Sequence, residues 1–95
     1  MIIEDPYIIS VEDNKETTTV HPKNGTDFKL EELRKIVGGH IEIAETKFDG
    51  IIMVLDEEGK LKEKPINRMA THMYKYGDQD PIVGNVLICN KNQIK

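Results

Sequence analysis

The chain reads as an α+β fold, a mostly antiparallel sheet with one main helix and one short helix packed on it. Three observations predict this. Polar and apolar residues alternate over short stretches at 7–11 and 40–44, the period of half-buried strands. One segment, 30–37, carries apolar residues at helical spacing. One run, 51–55, is apolar almost throughout, as a strand covered on both faces is.

Element by element, Tyr7, Ile9 and Val11 share one face of a first strand. Asp13, Asn14 and Lys15 supply turn chemistry, and the β-branched 17–20 returns as its partner. Pro22 and Asn24-Gly25 close that hairpin. The main helix is expected from about Phe28 to Val37. Leu30, Leu33, Ile36 and Val37 face inward, Glu31, Glu32, Arg34 and Lys35 face solvent, and Asp27 is placed as N-cap. Gly38 ends the helix in a left-handed conformation, and Gly39 lets the chain reverse closely. Ile41 and Ile43 then share one side of a strand. Asp49-Gly50 turns into 51–55, the expected central strand. The turn at 56–59 leads to a short strand at 60–62. Pro65 and Asn67 open a short helix carrying Met69, Ala70 and Met73 inward and ending near Gly77. The last strand, 82–89, is interrupted at Gly84-Asn85. The expected core is Ile9, Val11, Leu30, Leu33, Ile36, Val37, Ile41, Ile43, Ile52, Val54, Met69, Val83, Val86 and Ile88.

Composition sets the class. A chain of 95 residues makes one domain spanning 1–95, and a core without Trp and with only two Phe must rest on Ile, Val, Leu and Met. The net charge of −4 argues against sequence-blind nucleic-acid binding, which needs a basic field. A single cysteine excludes an intramolecular disulfide. The first ten residues lack a basic leader, and no apolar run reaches the length of a membrane span. A soluble cytoplasmic protein is the expectation. Its oligomeric state is open, a homodimer being compatible with so small a core.

No motif spells out a reaction. Gly38-Gly39 follows a helix C-terminus, the end that repels anions, and so reads as a cap and turn rather than a phosphate loop. Asp56, Glu57 and Glu58 lack the alternating ligand spacing of a calcium loop and read as a solvated turn. His21, His40 and His72 lie on three separate elements without metal-ligand spacing, and Cys89 falls in a core strand. Neither a metal nor a cofactor is implied. The one concentration of like charge is K-L-K-E-K-P-I-N-R, 60–68. Lys60, Lys62 and Lys64 on one side of an extended segment, with Asn67 and Arg68 at a helix start, would form a candidate anion-binding site. The plainer reading is an edge strand guarded by lysines, with Asn67 as cap.

Four segments in fixed order carry a family resemblance: L-E-E-L-R-K-I-V-G-G-H-I-E-I (30–43), D-E-E-G-K-L (56–61), N-R-M-A-T (67–71) and I-V-G-N-V-L-I-C (82–89). Together they resemble the domain of unknown function numbered 3846, most strongly over 28–89. Lys29 stands where a Ser or Thr cap is more usual, and His40 where an aromatic is common. The resemblance implies a small stand-alone domain carried by bacteria, their phages and mobile elements, and brings no catalytic residues. The leading expectation is therefore a non-enzymatic binding or adaptor module that meets a host protein through a sheet edge or the polar face of the helix. The alternative is a protein that binds or sequesters an anionic small molecule or nucleotide at 60–68.

Overall fold

The computed structural model describes residues 2–11 and 17–94. Five strands, β1 (Tyr7–Ile9), β2 (Thr17–Thr19), β3 (Ile41–Glu45), β4 (Ile51–Asp56) and β5 (Val86–Asn90), form one antiparallel sheet in the order β2-β1-β5-β4-β3. Helices α1 (Leu30–Val37) and α2 (Arg68–Met73) cover opposite faces, and a 3₁₀ turn (Lys91–Gln93) follows β5. The α+β class is as expected. The turn expected at Asp13, Asn14 and Lys15 lies outside the described residues.

Strand alternation divides the core in two. Ile52, Val54, Leu87 and Cys89 point toward α1, where they meet Phe28, Leu33 and Val37. Ile51, Met53, Leu55, Val86 and Ile88 point the other way, to Ile9, Ile82 and Ala70 of α2. This two-sided burial explains the continuous apolar runs of β4 and β5. β4 is interior, but β5 is the middle of the sheet, because β1 returns beside it rather than beside β3.

The main helix begins at Leu30, two residues later than expected, and Asp27 is not its cap. Lys29 holds the N-cap position, and Glu32 one turn on accepts its backbone N–H at 2.7 Å, half of a capping box. Asp27 is instead buried in the turn closed by Asn24, whose side-chain oxygen accepts the Asp27 N–H. Gly38 has φ of 82° and its N–H bonds Arg34 O at 2.8 Å, the left-handed cap that was expected.

Three expected core residues face solvent: Leu30 and Ile43 are each 49% exposed and Met69 38%. Phe28 fills the place expected of Leu30, its N–H bonded to Gln93 O, and the two-turn helix rests on Leu33 and Val37, with Ile36 packed partly exposed against the same cluster. Ile43 sits on an edge strand. In α2, the buried Asn67 cap fixes the helix rotation so that Ala70 rather than Met69 faces the sheet. Val11, Ile36 and Ile41 are partly exposed. The short helix stops at Met73, before Gly77, and the last strand begins at Val86, with Val83 forming an isolated bridge to Ile66.

The strand expected at 60–62 is absent. Residues 57–63 form consecutive turns, with Lys62 N–H to Glu58 O at 3.0 Å, Lys64 N–H to Gly59 O at 3.0 Å, and Glu63 at φ of 56°. Two contacts drive the compaction. Gly59 packs so closely on Val83 that a Cβ would lie 2.9 Å from its methyl, and Lys62 and Lys64 fold back onto Asp56.

Candidate functional site

The five residues of the expected anion site do not share a face. Lys60 is exposed and paired with Asp80. Lys62 and Lys64 converge on Asp56 at 2.8 and 2.7 Å. Their ammonium groups also donate to the last carbonyls of α1, Lys62 to Gly38 O at 3.3 Å and Lys64 to Val37 O at 2.8 Å. They thus complete the C-terminus of a helix, where cations are favoured. Asn67 is fully buried: its Oδ1 accepts from Ala70 N–H while its Nδ2 donates to Ile9 O and Gly84 O. Arg68 is exposed at the start of α2 and forms no salt bridge with a described residue. An incoming anion would have to compete with Asp56 and two helix carbonyls for the lysines.

Asp56 is the residue that reading the sequence missed. Placed in a solvated turn by its D-E-E-G context, it is 2% exposed. Burial alone raises its carboxyl pKa, but hydrogen bonds from Lys62, Lys64 and the Glu58 N–H outweigh burial and hold it at about 2. The remaining candidates for chemistry stay apart. Burial pushes the Cys89 thiol up to about 12, so at neutral pH it is neither thiolate nor nucleophile. His21 lies 3.4 Å from Asp5, both exposed, while His40 precedes β3 and His72 lies on α2. Among the described residues, no three His, Cys, Asp or Glu side chains converge as metal ligands. No described helix is long and apolar enough to cross a membrane.

The sheet has two edges, β2 and β3, and the outer edge of β3 is the one flanked by a groove and a cleft. The Glu57 N–H bonds His40 O at 2.9 Å, which makes Ile41 and Asp56 a non-hydrogen-bonded pair of the β3–β4 ladder. Alternation then directs the backbone N–H and C=O of Ile41, Ile43 and Glu45 away from β4. The end of that edge is covered: Lys75 N–H donates to Glu45 O at 3.0 Å and Lys47 N–H to Met73 O at 2.9 Å. Over Ile41 and Ile43 no described residue pairs with the outward groups.

Each face of this free edge has its own character. On the α1 side an open groove of about 980 Å³ runs over Ile43, Ile52, Phe48 and Ile94, its rim carrying Lys47, Lys75 and Lys91 together with Glu45 and Asp49. Phe48 is 43% exposed. On the α2 side a cleft of about 120 Å³ lies between Glu42, Glu57, Tyr74 and the Lys60–Asp80 pair. Burial first, then the carboxylates of Asp80 and Glu42, raise the Tyr74 hydroxyl pKa.

Residues 5–94 match the family described as Domain of unknown function (DUF3846), and the chain belongs to that family. No curated protein and no solved structure matches it.

Proposed function

We propose that this domain is a non-enzymatic binding module that receives an extended segment of another protein along the free edge of β3. The observation that carries the reading is the pair of outward backbone groups on Ile41 and on Ile43, left unmatched beside an Ile43 side chain half exposed to solvent. Such an edge is a template for one more strand. β3 has neither the proline nor the lysine with which exposed edges are usually blunted. The bacterial and phage setting that the family resemblance implies makes a host protein the natural partner.

The test is an edge variant that leaves the sheet intact. Because the Ile43 N–H points away from β4, Ile43→Pro removes an outward donor and no ladder bond. Capture from host lysate should lose its partner with Ile43→Pro and keep it with Lys62→Ala/Arg68→Ala, both folded by circular dichroism. A partner retained by the proline variant would overturn the edge reading. A nucleotide-dependent rise in melting temperature, lost only in the double variant, would replace it with anion binding at 60–68.

A further inference from the structure

We infer that the segment β3 receives is an extended stretch whose residues alternate between basic and apolar. The inference rests on the edge reading above and deepens it. A strand laid beside β3 sends successive side chains to opposite faces of the sheet. On one face they lie next to Ile43 and over the open groove, where Ile52, Phe48 and Ile94 offer apolar surface within a charged rim. Its rim sets Lys47, Lys75 and Lys91 against Glu45 and Asp49, so charge there is nearly balanced, and the exposed Ile43 and Phe48 side chains favour an apolar neighbour. On the other face they lie next to Glu42 and the cleft toward Glu57, two exposed carboxylates without a salt bridge to a described residue. A lysine or arginine there finds opposite charge, whereas an acidic residue is repelled. The two faces therefore select opposite chemistries one residue apart. A second copy of this chain fits poorly: two-fold pairing centred on Ile43 sets the two Glu42 side chains diagonally across the same face.

The experiment uses the whole chain and three octapeptides, repeats of Lys-Val, Ser-Val and Glu-Val, followed by NMR and by amide exchange at Ile41 and Ile43. The Lys-Val peptide should bind at least about tenfold tighter than Glu-Val and protect both amides, and Glu42→Lys/Glu57→Lys should reverse the preference. If all three peptides protect the edge equally, the basic requirement falls and the edge reading stands. If none protects Ile41 and Ile43, both fall. If those amides become protected by raising protein concentration alone, the occupant is a second copy and the inference is overturned.

Discussion

The basic segment at 60–68 and the acidic-apolar strand β3 both contribute to the cleft beside Tyr74, and they treat their polar groups in opposite ways. The lysines that stand out in the sequence turn inward: Lys62 and Lys64 neutralise Asp56 and finish α1. The isoleucines expected in the core include one, Ile43, that stands outward beside unmatched backbone groups. Charge density in a sequence thus marks a site only when the fold leaves that charge without a partner. An unremarkable I-E-I stretch becomes the open surface because its strand is at the margin of the sheet.

The comparison can be broken most sharply at Asn67. Replacing it with Ala takes the side-chain donor from Gly84 O and from Ile9 O in the core and removes the α2 cap, so urea denaturation should show a loss of roughly 2–4 kcal/mol. Next is Asp56→Ala, which strands two cations beside α1 and should cost about 2–3 kcal/mol. The same group gives a pH signature. Its folded pKa of about 2 lies below the ordinary 3.8, so its contribution is complete above pH 3.8 and is lost as pH falls toward 2. That difference amounts to roughly 2 kcal/mol at neutral pH, and Asp56→Asn should flatten the acid limb of a stability-versus-pH curve. Gly38→Val, at φ of 82°, should cost more than ~1 kcal/mol in thermal denaturation. Smallest of all, Ile43→Thr should change stability by less than about 1 kcal/mol, an effect large only if β3 were closed against another element.

Much of the fold could be read from residues whose meaning is local. Gly38 after an amphipathic run, Asp49-Gly50 between strands and Asn67 before a short helix each act through their own backbone neighbourhood, and each does what its sequence position indicates. The errors arise where a distant contact decides. The exception is Asp27, which lost the cap role locally, to a Glu32 bond to the Lys29 N–H that needs no capping side chain. The 60–62 strand gave way to turns because contacts remote in sequence hold the segment, Val83 on Gly59 and the α1 carbonyls of Val37 and Gly38 on the lysines. The site follows the same rule. Asn67 was legible as a cap but not as a buried tie to Ile9, 58 residues away. The β3 edge depends on strand order, which nothing in the I-E-I-A-E string encodes.

Because β5 lies in the middle of the sheet but follows the other four strands in the chain, its position dictates when the protein can fold during synthesis. While residues 86–90 are still inside the ribosome, β1–β2 and β3–β4 are separate pairs with nothing between them, and two-stranded units are marginal in water. Joining Ile9 to Val86 closes the longest loop of the sheet and completes it in the same step. The sheet that presents the β3 edge is thus complete only once β5 has been translated.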